Sequence, residues 1–118
     1  MKEIRQIIFF RNYFLDFFND QPEYIKEKID YVLFVVRVAE RIPKKFFDHI
    51  TGTDGLYEVR VEFRGNIYRI FCCFDEGKII VLFNGFQKKT QKTPQAEIEK
   101  ALMIKDDYFK TKIKTKRK

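Results

Sequence analysis

The chain has 118 residues, among them 14 Phe and 6 Tyr, and a formal net charge of +7. This length suits one domain, and the aromatic content excludes a disordered chain, which lacks residues that form a core. The longest apolar run is too short to cross a bilayer, and no export signal is recognisable at the start, so we expect a cytoplasmic protein.

The first third of the sequence predicts one strand and two helices. The short apolar stretch Ile4–Phe10 is typical of a strand, and aromatic residues at helical spacing in 13–18 predict a short helix. In the second helix the apolar residues recur on a single face: Ile25, Ile29, Val32, Leu33 and Val36. Pro43 predicts that this helix ends near Arg41.

A turn-rich connection over 44–55 separates the helices from three predicted strands. Alternating apolar and polar residues predict the first strand over 56–63, and two further apolar runs, 67–74 and 78–86, predict the second and third. Gly65-Asn66 is typical of a tight hairpin turn. A turn at these two residues would place Val61 opposite Ile70 and Glu62 opposite Arg69.

The sequence ends in a helix and a basic segment. Thr93-Pro94 is typical of a helix start. Six basic residues and no acid lie in 110–118, so the preceding residues are close to neutral overall. We expect one domain over 1–109 and a basic, disordered tail over 110–118. The fold class is α+β in the order β-α-α-β-β-β-α, with a twisted antiparallel sheet and helices packed on one face.

Two arginines, Arg60 and Arg69, fall on the polar face of the predicted hairpin. One interpretation is a cross-strand ion-pair lattice with Glu58 and Glu62. The other is a guanidinium pair that binds phosphate, a geometry to which arginine is well suited. The two interpretations are compatible, because a carboxylate can hold an arginine until phosphate arrives.

A second basic cluster follows the third strand, where Lys88, Lys89 and Lys92 lie in a stretch without acids. It is either a solvated loop or a set of phosphate contacts. His49 is the only histidine, either incidental or a proton carrier near neutral pH. Cys72 and Cys73 are neighbours on a strand and point to opposite faces, so we expect buried, reduced thiols, no metal site and no cofactor.

Three segments, 55–61, 68–71 and 85–94, together resemble phage-derived HigB toxins of the RelE/ParE superfamily. The resemblance covers about residues 4–105 and implies a RelE-like fold. It also implies the toxin of a type II toxin–antitoxin system, which cleaves messenger RNA on the ribosome through attack by a ribose 2′-hydroxyl. The implied partners are that messenger RNA and a cognate antitoxin of the helix-turn-helix kind, with no membrane.

The resemblance assigns roles to particular residues. Arg60, Arg69, Lys88 and Lys89 are carried over as catalytic contacts to the phosphate and the transition state. The residues expected to bind RNA, with the phenyl rings stacking on bases, are Lys92, Phe86 and Phe71. Many relatives have Lys where this chain has Asp48, an acid that would weaken the basic patch or act as a base. Two alternatives stay open. The superfamily includes ParE members, so one is a ParE-like inhibitor of DNA gyrase; Asp48 motivates the other, a decayed toxin that binds only its antitoxin or nucleic acid.

Overall fold

The computed structural model of the chain describes residues 2–89 and 92–116. Within these residues the elements follow in the order β1 (Gln6–Phe9), α1 (Tyr13–Asn19), α2 (Glu23–Val38), β2 (Phe47–His49), β3 (Tyr57–Phe63), β4 (Asn66–Asp75), β5 (Ile79–Lys88) and α3 (Gln95–Lys116). The strands form one sheet in the order β1-β5-β4-β3-β2. The α+β class and the order of the predicted elements are confirmed.

The sheet departs from the predicted one at both of its edges. At one edge β1 runs parallel to β5, because the chain crosses over the sheet through α1 and α2 before returning. At the other edge β2, which the sequence presented as part of a connection, pairs antiparallel with β3. Three residues are too few to show a strand periodicity, so β2 gives no signal in the sequence.

One face of the sheet is covered by α1 and α2. All five residues of the predicted apolar stripe of α2 are buried, and they pack against Val59 and Val61 of β3 and against Ile70 and Leu82 of the next two strands. Each such side chain contributes roughly 1.5–3 kcal/mol when removed from water. This layer is therefore the larger of the two cores, and within it α2 packs mainly over β3 and α1 over β5.

The opposite face is covered in part by α3, so the expectation that all helices pack on one face is wrong. Ala101 and Ile104 pack against Phe71, Cys73 and Phe83 on that face. The cause is visible in β4, where 70–73 is apolar at every position and exposes an apolar surface on both sides of the sheet. The two cysteines are free and buried, one in each layer, as predicted.

The expectation of a disordered tail is wrong for residues 110–116, because α3 continues to Lys116. The Tyr108 hydroxyl donates to Asp75 at 2.6 Å, and the Lys112 ammonium donates to both oxygens of Asp75 at 2.8 Å and to Glu76 at 3.1 Å. These bonds attach the last turns of α3 to the β4–β5 turn. Residues 117 and 118 of the predicted tail lie outside the described residues.

The β3–β4 hairpin turns one step earlier than predicted. Its two central residues are Arg64 and Gly65, both with positive φ (50° and 82°), and Phe63 pairs with Asn66. Positive φ at both positions is what the favoured two-residue hairpin turn requires. The register consequently shifts by two, an even number that leaves every side chain on its predicted face. The predicted pairs Val61–Ile70 and Glu62–Arg69 are wrong, and Arg60 lies directly opposite Arg69.

A bulge in β5 determines on which face of the sheet the side chains of its second half lie. The pairing steps from Cys72–Leu82 to Ile70–Gly85, so β5 has one residue more than β4 in this interval. Because of the extra residue, Phe86 pairs directly with Arg69 and lies on the same face of the sheet as Arg69. At the bulge Gly85 lies against the Phe17 ring of α1, and an added Cβ would come within 2.5 Å of Phe17 Cδ2.

We expect Gly85→Ala to destabilise the protein by about 1–3 kcal/mol, because the new methyl group must displace the Phe17 ring from a packed core. Urea denaturation followed by circular dichroism measures the change. The double variant Gly85→Ala/Phe17→Leu supplies the control. Because the smaller Leu relieves the clash, the double variant should lose less stability than the sum of the losses in the two single variants. Strict additivity of the two costs would contradict the assigned contact.

Alkaline pH should destabilise the fold. Burial raises the pKa of the Cys73 thiol to about 11, and burial together with the hydrogen bond to Asp75 raises the pKa of Tyr108 to about 12. Burial also raises the pKa of Cys72. As pH rises the unfolded chain loses these protons first, so the free energy of unfolding should fall from about pH 9 towards pH 12. Urea denaturation under reducing conditions tests this, with Tyr108→Phe expected to flatten the upper part of the profile; a constant value from about pH 8 to 11 would refute it.

Candidate nucleic-acid interface

The charged residues of the hairpin form two rows across one face of the sheet. Residues that pair directly in a sheet lie side by side on the same face. Arg60, Arg69 and Phe86 form one row across β3, β4 and β5, and Glu62, Ile67 and Lys88 form the next. Asp48 and Glu58 pair on the other side of the arginine row. We call the charged residues and the ring the arginine face: Asp48, Glu58, Arg60, Glu62, Arg69, Phe86 and Lys88.

Glu58 connects the two arginines. Its Oε2 lies 2.8 Å from Arg60 Nε, which donates a hydrogen bond to it, and 3.5 Å from Arg69 Nε. The Glu58 side chain is only 5% exposed. Among the described residues neither Glu58 Oε1 nor Arg69 Nε has a hydrogen-bond partner. The centre of the arginine face thus holds one buried acceptor and one buried donor that can each still form a hydrogen bond.

The two arginines differ in accessibility. The Arg60 side chain is 28% exposed, and its Nη2 lies 3.3 Å from Asp48. The Arg69 side chain is only 7% exposed, with its Nη2 3.9 Å from Glu62 and its Nη1 donating to the Tyr68 carbonyl at 3.2 Å. Burial lowers the pKa of Arg69, and the neighbouring Glu58 carboxylate opposes this effect. The predicted ion-pair lattice is present, and Arg60 is the arginine that an incoming ligand can reach.

The aromatic pair of this face has one accessible member. Phe86 is partly exposed and stacks on Phe71 with ring centroids 5.6 Å apart and an interplanar angle of 21°. Phe71 is fully buried, so the expectation that its ring stacks on a base is wrong. It supports Phe86 from below.

The predicted lysines reach the rim of the face to different extents. Lys88 is partly exposed at the end of its row, and Lys89, just after β5, is exposed. Lys92 is also exposed, and it follows residues 90 and 91, which lie outside the described residues. The structure therefore places Lys88 in the row next to Arg69, whereas Lys89 follows the end of β5 and residues 90 and 91 between it and Lys92 are not described.

His49 does not join this site. It pairs with Tyr57 in the sheet and packs edge-on against the Tyr57 ring at 5.2 Å, while its Nε2 lies 3.0 Å from the Thr53 carbonyl. Since Asp48 precedes it on a three-residue strand, His49 points to the opposite face. No group of three or more His, Cys, Asp or Glu side chains in 2–89 and 92–116 is arranged to hold a metal ion.

Three neighbours of Arg60 were not found from the sequence. Lys28, Lys45 and Phe46 line, together with Arg60 and Glu62, a surface cavity of about 380 Å³. They come from α2 and from the connection before β2, and only the tertiary fold brings them to the edge of β3. The basic-aromatic sequence 44–46 is the one local signal that could have indicated them.

The comparisons with known proteins identify the class. The sequence matches the family "Phage derived protein Gp49-like (DUF891)" over residues 16–106, so the chain belongs to this family of RelE/HigB-like toxins. A chain from the crystal structure of the RelB-RelE antitoxin-toxin complex from Methanococcus jannaschii superposes with a TM-score of 0.54 at 18% identity. The match covers 74% of this chain and 99% of that chain, which confirms the RelE-like fold. No curated protein matches the sequence.

Glu58→Gln should destabilise the protein by about 3–5 kcal/mol, because it leaves the buried Arg69 guanidinium without its nearest countercharge. Chemical denaturation measures the loss. The double variant Glu58→Leu/Arg69→Met removes both buried charges and should cost less than Glu58→Gln alone. Finding the double variant to be the less stable of the two would contradict the proposed dependence of Arg69 on Glu58.

Proposed function

We propose that this RelE-superfamily toxin cleaves messenger RNA on the ribosome and belongs to a type II toxin–antitoxin system. The family supports the toxin class. The observation that carries the proposal is the directly opposed pair Arg60–Arg69 on a sheet face that also presents Phe86 and Lys88. Guanidinium groups bind phosphate through paired hydrogen bonds, and a partly exposed ring offers a surface for a base.

The proposed reaction needs positioning and charge stabilisation rather than a covalent intermediate. The ribose 2′-hydroxyl attacks the adjacent phosphorus, and the bond to the 5′-oxygen breaks, leaving a 2′,3′-cyclic phosphate and a 5′-hydroxyl. Negative charge gathers on the phosphoryl oxygens in the transition state, where Arg60 donates hydrogen bonds. Arg69 lies beneath and acts through Glu58, which fixes the orientation of the Arg60 guanidinium.

Asp48 is the carboxylate we assign as proton acceptor for the 2′-hydroxyl. Its side chain is 28% exposed and lies 3.3 Å from Arg60, whereas that of Glu58 is 5% exposed. A base must reach the proton that it removes, which favours the accessible group. The departing 5′-oxygen takes a proton from solvent. Lys88 and Lys89 contribute positive charge at the rim, where they contact phosphates that flank the reacting one.

The proposed partner is a cognate antitoxin. The RelB-RelE complex is an antitoxin–toxin pair of similar fold, which supports an antitoxin for this chain as well. The helix-turn-helix type of that antitoxin follows only from the resemblance in sequence. No helix among the described residues is long and apolar enough to span a membrane. Translating ribosomes are the proposed target, so the cytoplasm is the proposed compartment.

A toxin that binds its target without cleavage, such as a ParE-like gyrase inhibitor, is the second candidate. The observation in its favour is the charge balance of the arginine face. Arg60 contacts two carboxylates and Arg69 lies near two, with Glu58 shared between them. Such pairing weakens the field that a phosphate would meet. A decayed toxin that binds only its antitoxin or nucleic acid fits the same observation.

Primer extension on cellular messenger RNA after brief induction distinguishes these functions. The wild-type chain should produce discrete cuts within translated regions, and Arg60→Gln should reduce cleavage about 10²–10³-fold by removing a transition-state contact. Arg37→Gln is the matched control, since Arg37 is similarly exposed (30%) and ion-paired with Glu3 at 3.4 Å away from the arginine face.

The other outcomes are equally specific. If growth stops while messenger RNA stays intact and DNA-damage signalling is induced, the protein is a gyrase inhibitor and not a ribonuclease. A wild-type chain that is harmless at high expression would indicate a decayed toxin. Full cleavage by Arg60→Gln would show that the assigned site is wrong.

A further inference from the structure

Two ammonium groups at the edge of the arginine face, in the cavity beside Arg60, lack a carboxylate partner among the described residues. Lys28 and Lys45 form no ion pair with any described residue. Lys28 Nζ instead lies 5.3 Å from the centre of the Tyr31 ring, and Lys45 Nζ lies 4.9 Å from that of Phe46. An anion near Arg60 would therefore meet uncompensated positive charge at these two lysines.

The cavity of about 380 Å³ joins these lysines to Arg60 at an edge where β3 is incompletely covered. The β2 strand pairs with Tyr57–Val59, and the Arg60 amide donates to the Phe46 carbonyl at 2.8 Å. The remaining three residues of β3 have no strand partner on this side among the described residues. The side chains of α2 and the connection before β2 thus form the walls, and the volume falls within the roughly 300–1,000 Å³ typical of ligand pockets.

An aromatic surface continues from this cavity along α2. Tyr24, Lys28 and Tyr31 lie on one side of the helix at i, i+4 and i+7. Both tyrosines are 52% exposed. The Tyr31 ring packs edge-on against Phe46 at 6.1 Å, and the Tyr24 ring packs on Phe63 at 5.6 Å. Cations that alternate with supported, exposed rings bind single-stranded nucleic acid, because the cations hold phosphates while the rings stack on bases.

We propose that the Lys28–Lys45 cavity and the Tyr24–Tyr31 side of α2 form a second RNA subsite, which binds the single-stranded segment flanking the reacting phosphate. This inference rests on the proposed function, because the RNA strand whose phosphate binds at Arg60 would continue over the edge of β3 into this subsite. Glu62 also lines the cavity and opposes an anion there. Its carboxylate is 65% exposed and lies 3.9 Å from Arg69, towards which it can turn when a phosphate enters.

Fluorescence anisotropy with labelled 2′-O-methyl oligoribonucleotides, which lack the attacking hydroxyl, tests this subsite on the full chain. With a single strand of about ten nucleotides, Lys28→Gln/Lys45→Gln should weaken binding about tenfold. It should also lower the salt slope by about 1.4, the value for two phosphate contacts on a single strand. Tyr31→Leu should weaken binding by a similar factor without changing the slope. A strand of about three nucleotides, too short to leave the arginine face, should bind the double variant and the wild type equally.

The matched control is Lys78→Gln/Lys100→Gln, which removes the same charge at two exposed lysines outside the cavity and should bind like the wild type. Arg60→Gln should weaken both strand lengths. If Lys28→Gln/Lys45→Gln binds with the affinity and salt slope of the wild type while Arg60→Gln binds more weakly, the subsite is wrong. The proposed function would still stand in that case. Wild-type binding by both variants would overturn the proposed function as well. Equal affinity for duplex RNA would refute a single-strand subsite.

Discussion

Arg69 places a guanidinium inside the sheet, where water stabilises its charge very little, and the composition of the surrounding face follows from that burial. A buried cation requires a nearby carboxylate, and Glu58 on the adjacent strand supplies it. The buried carboxylate then holds Arg60, whose outer nitrogen reaches Asp48 on the edge strand. The buried groups Arg69 and Glu58 therefore determine where the more accessible groups Arg60 and Asp48 lie. The groups that meet a ligand are positioned by groups that do not.

The same arrangement explains why one arginine suits chemistry and the other suits support. A catalytic group must exchange partners, which costs little for a side chain with solvent access and much for a buried ion pair. Arg60 can give up Asp48 for a phosphate and still retain Glu58. Phe71 has the corresponding role for Phe86, since a fully buried ring fixes the angle of the exposed one. The bulge at Gly85 completes the arrangement by placing Phe86 on this face.

The sequence predicts those features that depend on local periodicity. Alternation in 56–63 correctly assigned Glu58, Arg60 and Glu62 to one face, and the helical spacing in α2 identified its buried residues. The hairpin register was missed because an arginine with positive φ is not a recognisable turn residue. The length of α3 was missed because Lys112 and Asp75 are distant in sequence and meet only in the fold. The Lys28–Lys45 cavity is non-local in the same sense.

The adjacent thiols Cys72 and Cys73 belong to different layers, although a single peptide bond separates them. Cys72 is sealed by α1 and α2, and Cys73 lies beneath α3. A thiol reacts with an alkylating reagent only when its layer opens. The chain therefore carries a built-in chemical reporter for each layer: the rate of alkylation at one position measures detachment of α3, and the rate at the other measures separation of the α1–α2 layer. Mass spectrometry of singly labelled chains would resolve whether the two layers open together or one after the other.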